Sequence, residues 1–334
     1  MFPALLCGNA VIFKPAEDVP HTAHLLVEIL LEAGLPPEVV QLVHGEGSVV
    51  GKAMVEHPDV PVISFTGSTE TGSIIGATCG RMHKRLSLEM GGKNAMIVMD
   101  DADLELALDG VLWGAFGTTG QRCTATSRLI VHQRVHDKLV EMVSERAGRL
   151  RLGPGLDANT DVGPLINEDA RKKVEYYVGV AREEGATVVI GGERTAGKGL
   201  DRGWFYRPTV LTGVRPGMRV EQEEIFGPVL CVIKVGSLDE AIGVNNAVKY
   251  GLSSSLYTRD VNAAFRAMGE LDTGITYVNA PTIGAEAHLP FGGVKQTGNG
   301  HREGGWEVYD FYSETKVIYV DFSGTLQRAQ IDTE

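Results

Sequence analysis

Pro61-Val62-Ile63-Ser64-Phe65-Thr66-Gly67-Ser68-Thr69-Glu70-Thr71-Gly72 is the stretch that decides how this chain folds. Its apolar half, 61–65, reads as a strand, and 69–79 reads as a helix. Between them Gly67 and Ser68 form a tight turn into the helix start. Free backbone amides and the positive end of the helix dipole converge there, which suits a pyrophosphate. The turn is not the G-x-G-x-x-G fingerprint, and taken alone it is equally well a purely structural turn.

The flanking sequence repeats the same alternation. Upstream, 10–13 reads as a buried strand, 21–32 as a helix closed by Gly34, 39–43 as a strand and 48–56 as a helix. Downstream, 86–90 is a further strand. Repeated strand-helix-strand units predict a parallel sheet covered by helices on both faces, with ligands at the carboxyl ends of the strands. After Gly91-Gly92 the pattern resumes with strands at 95–99, 127–132, 188–190, 229–235 and 252–257. Helices are expected at 104–116, 135–149, 167–184, 238–248 and 262–268, with a surface loop at 152–163 rich in Gly, Pro, Asp and Asn. The expected organisation is a partial dinucleotide-binding unit over 1–91, a second α/β unit over 92–311 and a tail over 312–334. In that tail Lys316-Val317-Ile318-Tyr319-Val320 suits either an exposed strand that pairs with another chain or an ordinary edge strand.

Composition narrows the partners. A chain of 334 residues with 43% hydrophobic and 22% charged residues suits about two globular domains. Its 42 glycines are not periodic and point to tight turns and close backbone approaches. Acidic residues outnumber basic ones by 43 to 31, and a net charge of −12 argues against a nucleic-acid partner. Cys7, Cys79, Cys123 and Cys231 form no Cys-x-x-Cys pair, so neither a metal site nor a disulfide framework is expected, and a reducing cytoplasm fits. No apolar run is long enough to span a bilayer. Leu5-Leu6-Cys7-Gly8 looks like a lipoprotein cleavage site but lacks a basic leader, and is read as chance.

Several short segments carry chemistry. Cys123 lies in Gly117-Thr118-Thr119-Gly120-Gln121-Arg122-Cys123-Thr124, where backbone amides and the Arg122 charge are expected to stabilise a thiolate. Glu89 ends an apolar strand beside Gly91-Gly92-Lys93-Asn94, so burial is expected to raise its pKa toward that of a general base. Lys14-Pro15-Ala16-Glu17 places an ammonium and a carboxylate at a strand end, suited to ribose hydroxyls, and the carboxylate would repel a 2′-phosphate. Glu224-Ile225-Phe226-Gly227-Pro228 pairs an acid with an aromatic ring, able to hold a ribose and flank a flat ring. Leu289-Pro290-Phe291-Gly292-Gly293-Val294-Lys295 and Gly298-Asn299-Gly300-His301-Arg302-Glu303 make a long glycine-rich loop of the kind that carries function. Each segment alone also admits a plain structural reading.

Together, in this order, these segments resemble the aldehyde dehydrogenase superfamily over essentially the whole chain. The resemblance implies a Rossmann-type cofactor domain, incomplete at its N-terminus, an α/β catalytic domain and a C-terminal oligomerisation strand. It implies Cys123 as nucleophile, Glu89 as the base that activates water and Glu303 as a proton relay to solvent. Lys14, Glu17, Gly67, Ser68 and Gly72, with Glu224 and Phe226, become the contacts to NAD, which is favoured over NADP. The implied reaction is oxidation of an aldehyde to a carboxylic acid through a thiohemiacetal and a thioester. The Arg122-Cys123 core and Pro281-Thr282-Ile283-Gly284-Ala285-Glu286 are similar to the branch that oxidises semialdehydes, with Arg122 and Phe291 as substrate contacts.

One departure stands out. The family places an oxyanion-hole asparagine in a Pro-Trp-Asn-Phe-Pro type segment upstream of Lys-Pro-Ala-Glu, and this sequence opens at Met1-Phe2-Pro3. Loss of such a donor typically costs ~10²–10³ in rate. The expectation is therefore either a piece of a full enzyme or a shortened, impaired nucleotide-binding or assembly protein. A cysteine esterase is a third reading. Partners expected are a small aldehyde and further copies of the chain, as dimer or tetramer, without a membrane.

Overall fold

Three strands, Ala95–Val98, Arg128–His132 and Ser253–Tyr257, have every residue buried. In the computed structural model, which describes residues 1–195, 197 and 199–325, they lie inside a seven-stranded sheet. The order across it is Ile275–Val278, Ser253–Tyr257, Ala95–Val98, Arg128–His132, Val229–Val235, Thr209–Thr212 and Thr187–Ile190. All neighbours are parallel except the last two. A parallel sheet must be covered on both faces, and the period-two alternation of side chains divides its residues between two cores. Met96, Val98, Leu129, Val131 and Val232 pack with Leu108 and Val111 of the helix Leu104–Phe116 and with Leu139 and Val143 of the helix Gln133–Gly148. Ile97, Ile130, Ile233 and Leu256 pack with Val174 and Val178 of the helix Glu168–Glu183 and with Ile242 of the helix Leu238–Asn246. Burying each such side chain contributes about 1.5–3 kcal/mol.

The first ninety residues depart from expectation. One continuous parallel sheet was expected, but two separate parallel pairs form, Val11–Phe13 with Val40–Leu42 and Val62–Thr66 with Arg85–Glu89. Ile12 and Ser64, mid-strand positions that a covered sheet would bury, are exposed. Helices Pro20–Glu32 and Thr69–Arg81 accompany these pairs. The helix expected over 48–56 begins instead as a π-helical turn, Gly47–Gly51, before Lys52–Glu56. Glu17 accepts a hydrogen bond from the Gly47 N–H at that turn.

The tail also differs. No strand forms over the described residues 313–325, and Val317, Ile318, Tyr319, Val320 and Phe322 are exposed. A strand exists only with a partner to pair with, none of the described residues pairs with these, and the expected pairing is with another chain. The remainder of the expected tail, 326–334, lies outside the described residues. No helix among the described residues is long and apolar enough to cross a membrane.

Candidate active site

Cys123 sits between the helix Leu104–Phe116 and the strand Arg128–His132, on a loop whose shape is set by glycine. Thr119 and Gly120 both have left-handed backbone, and a Cβ on Gly120 would lie 2.0 Å from the Gly227 carbonyl oxygen. The loop therefore packs directly against the Glu224–Gly227 turn. Asn94 holds it from the other side. The Asn94 amide donates to the carbonyls of Cys123 (2.7 Å) and Ala125 (2.9 Å), and its Oδ1 accepts from the Ser253 N–H (3.0 Å). The Thr282 hydroxyl donates to the Thr124 carbonyl at 2.7 Å.

Cys123 is half-buried, and burial pushes its thiol above the ordinary range. The Glu89 carboxylate pushes the same way, the Thr124 N–H pulls back, and Glu224 again raises it. The Arg122 side chain is exposed, and the groups that shift the thiol most are Glu89, Thr124 and Glu224. Arg122 instead lines a narrow crevice with Gly92, Glu224 and Phe226. A larger cavity, about 210 Å³ between Ala147–Leu152 and Ile190–Pro208, touches none of these residues.

Glu89 ends the strand Arg85–Glu89 and is 4% exposed. Neither carboxylate oxygen has a hydrogen-bond partner among the described residues. Its backbone is fixed by an antiparallel bridge to Gly298 and by the Met90 N–H, which donates to the Thr297 carbonyl at 2.7 Å. Room for the side chain comes from Gly292, with φ of +149°, where a Cβ would lie 2.6 Å from Glu89 Oε1. Burial raises the Glu89 pKa to about 8; Glu303 adds to this and Arg302 opposes it. Glu303 accepts from the Ser64 hydroxyl at 3.1 Å and bridges to Phe291 through the backbone. Segments far apart in sequence thus bring Glu89 and Glu224 within electrostatic reach of Cys123, and Glu303 within reach of Glu89.

On the Glu224 side, Oε1 accepts from the Gly92 N–H at 2.9 Å, and a Cβ on Gly91 would lie 2.7 Å from Oε2. Phe226 has φ of +59° and is 40% exposed. A bulky residue in that backbone region costs about 1–3 kcal/mol, so the surrounding structure must impose it.

The remaining expected contacts lie on the first ninety residues. Lys14 Nζ donates to the carbonyls of Pro15 (2.7 Å) and Gly45 (3.0 Å) and reaches Glu17 Oε1 at 3.3 Å. Glu17 receives its bonds through Oε1, and backbone N–H groups hold its carboxyl below the ordinary range. Gly67 and Ser68 are exposed at the start of the helix Thr69–Arg81, and Ser68 caps it by accepting from the Thr71 N–H. Gly72 lies apart from this exposed turn. It is buried, and a Cβ there would lie 2.3 Å from the Met90 sulfur, so its missing side chain serves helix–strand packing.

The sequence profile of the aldehyde dehydrogenase family matches residues 1–318. The chain belongs to the aldehyde dehydrogenase family. It is 40% identical over 320 residues to an alpha-ketoglutaric semialdehyde dehydrogenase of Bacillus subtilis, covering 96% of this chain and 66% of that protein. A betaine aldehyde dehydrogenase of Mesorhizobium japonicum is 41% identical over 319 residues, covering 96% and 65%. Among solved structures, a putative aldehyde dehydrogenase from Burkholderia cenocepacia superposes with a TM-score of 0.95 at 40% identity, over 98% of this chain and 67% of that one. The betaine aldehyde dehydrogenase of Staphylococcus aureus in complex with NAD+ gives 0.90 at 39% identity, over 93% and 61%. The chain thus spans about two thirds of the length of these relatives.

The sequence reading left unassigned Asn94, Thr282, Thr297, Gly292 and Arg302. Asn94, Thr282, Gly292 and Arg302 stand inside the quoted motifs, but their partners lie on other elements and leave no local signal.

Proposed function

We propose that the chain carries NAD-dependent oxidation of an aldehyde to its carboxylic acid, with Cys123 as nucleophile and Glu89 as base. The observation that carries this is the buried Glu89 carboxylate, without a hydrogen-bond partner among the described residues, in electrostatic contact with the Cys123 thiol. A buried, unpaired carboxyl is expensive to maintain unless something else uses it. Cys123 Sγ, once deprotonated, attacks the aldehyde carbon, with the backbone N–H of Cys123 or Thr124 as candidate donor to the developing oxyanion. Glu89 then takes a proton from water, which adds to the thioester carbon and releases the acid and the thiolate. Glu303, raising the Glu89 pKa and touching Ser64, is placed to pass that proton outward.

The residues fit NAD. Gly67 and Ser68 expose the N-terminus of a 13-residue helix to an anion, Glu17 Oε2 has no donor among the described residues, and Glu224 faces a narrow crevice beside Phe226. NAD, when bound, supplies the acceptor for hydride. The Glu17 carboxylate disfavours a 2′-phosphate and hence NADP.

A small semialdehyde is the proposed substrate. Exposed Arg122 beside the nucleophile favours an anionic aldehyde over the cationic betaine aldehyde. The exposed tail apolar residues support assembly with further copies of the chain. The test is NADH absorbance on incubation with NAD and, in parallel, 2,5-dioxopentanoate and betaine aldehyde. Turnover of the anionic aldehyde that vanishes in Cys123→Ala supports the reading. A folded sample that turns over neither aldehyde defeats it, and one that does so while hydrolysing nitrophenyl esters without NAD favours the esterase instead.

A further inference from the structure

Three acids lie within four residues at the clamp, Glu221, Glu223 and Glu224, and each has a different partner. Glu221 is fully buried and pairs with buried Arg128 at 2.9 Å; Arg128 also donates to the Lys93 carbonyl at 2.9 Å. Glu224 accepts from the Gly92 N–H. Glu223, between them, points to the surface and is gripped there. Arg219 donates to both its oxygens at 2.9 Å, and the Tyr177 hydroxyl adds a third bond at 2.7 Å. The Arg219 guanidinium also lies 5.5 and 6.0 Å from the ring centroids of Tyr176 and Tyr177 and donates to the Tyr176 hydroxyl at 2.9 Å.

Helix stability does not explain this cluster. Arg219–Gln222 is four residues long, too short to hold itself, and its N-cap Met218 makes no side-chain cap. Arginine preceding glutamate by four positions is the weaker orientation for a helical pair. What the cluster does is fix the chain one residue before Glu224 and three before Phe226, whose left-handed backbone needs an imposed geometry. Bidentate, ring-stacked networks are the surface ion pairs that do carry energy.

We propose that Arg219 and Tyr177 are positioning residues: by holding Glu223 they set Glu224 on the Gly92 N–H and Phe226 in its left-handed turn, the geometry that receives the nicotinamide half of NAD. This rests on the clamp role given above to Glu224 and Phe226. Neither Arg219 nor Tyr177 lines the crevice beside Glu224 and Phe226.

The experiment compares Arg219→Gln, Tyr177→Phe and Arg219→Lys with the unsubstituted protein, using hydrogen exchange at Gly92 and calorimetric titration with NAD. Arg151→Gln, which breaks the exposed bidentate Arg151–Asp161 pair, serves as control. Loss of a charge-assisted network predicts exchange at Gly92 and a Kd for NAD both raised about tenfold in Arg219→Gln. Tyr177→Phe gives a smaller rise in the same direction, Arg219→Lys a partial rescue, and Arg151→Gln no change in either. Under turnover the KM for NAD rises while kcat stays within about twofold. Unchanged exchange at Gly92 overturns the proposal, as does faster exchange with unchanged NAD affinity. If the unsubstituted protein binds no NAD, the proposed function falls, and the exchange measurement alone decides whether Arg219 holds Glu224.

Discussion

The seven-stranded sheet and the first ninety residues are built from the same strand-helix vocabulary, yet they are packed to different standards. Across the sheet, Ala95, Met96, Ile97 and Val98 are all 0% exposed, and two large clusters of buried side chains cover its faces. In the first ninety residues the corresponding cluster contains three buried residues, Val55, Ile63 and Cys79. There Ile12, Val19, Ile29, Val49 and Ile74 stay exposed. The difference divides the labour of the site. Cys123 and Glu224 are held by the rigid sheet, Lys14, Glu17, Gly67 and Ser68 ride on the thinner part, and Glu89 stands where the two meet. Precision is needed where bonds are made, and the well-packed side supplies it.

The largest expected effects come from the side chains at that meeting point. Cys123→Ala should lower kcat with aldehyde and NAD on the order of 10⁴–10⁶-fold, since covalent catalysis disappears. Its melting temperature should barely move, because the thiol contributes little packing. Glu89→Gln should cost ~10²–10⁴ in kcat/KM. The pH profile sharpens this. Glu89 is raised to about 8, so at pH 7 it is mostly protonated, and kcat/KM of the unsubstituted protein should climb as pH rises through about 8. In Glu89→Gln that climb should be lost. The same raised pKa means that the folded state binds this proton more tightly than the unfolded chain. Its contribution to stability is fully present below the ordinary carboxylate range and is lost as pH rises to about 8. A kcat/KM that is flat from pH 7 to 9 would remove Glu89 from the role of base.

Much of this arrangement was legible in sequence, for reasons that differ by residue. The helix Leu104–Phe116 and the strand Val229–Val235 were read to the residue because their ends are marked locally, by the Asp103 cap in one and Gly227-Pro228 in the other. Cys123 and Glu89 stood out because glycines crowd around them. Thr209–Thr212, Arg219–Gln222 and Ile275–Val278 escaped because four residues carry no period, and their conformation is imposed by neighbours distant in sequence. Which of its possible partners Arg122 serves was not legible, because proximity in sequence does not tell which way a side chain points. The packing role of Gly72 was not legible because a glycine that admits a neighbour's sulfur looks, in sequence, like one that admits a phosphate.

Buried charge offers the next test of the two packing standards. Glu221→Gln leaves Arg128 fully buried without its counter-charge and should cost ~3–5 kcal/mol, measured as a fall in the urea midpoint. In the thin region, Glu56→Gln breaks only the exposed Lys52–Glu56 contact at 3.9 Å and should stay within about 0.5 kcal/mol. Equal costs would mean that the Arg128 pair is better solvated than its burial indicates.

The smallest effect compares the two cores directly. Ile97→Val and Ile63→Val each remove one methylene-sized group, from a side chain that is 0% exposed in one case and 8% exposed in the other. Where neighbours surround the site on every side, the deleted group leaves a cavity that cannot collapse, and Ile97→Val should cost about 1 kcal/mol. Ile63 has two buried companions, Val55 and Cys79, and a partly exposed surround of Val60, Phe65, Ile75 and Leu86, which can relax inward. Ile63→Val should therefore cost less than half as much by urea denaturation. A matching loss at both positions would show that the first ninety residues pack as tightly around Ile63 as the sheet does around Ile97. The rigidity assigned to the nucleophile's side would then extend to the side that carries Lys14 and Glu17.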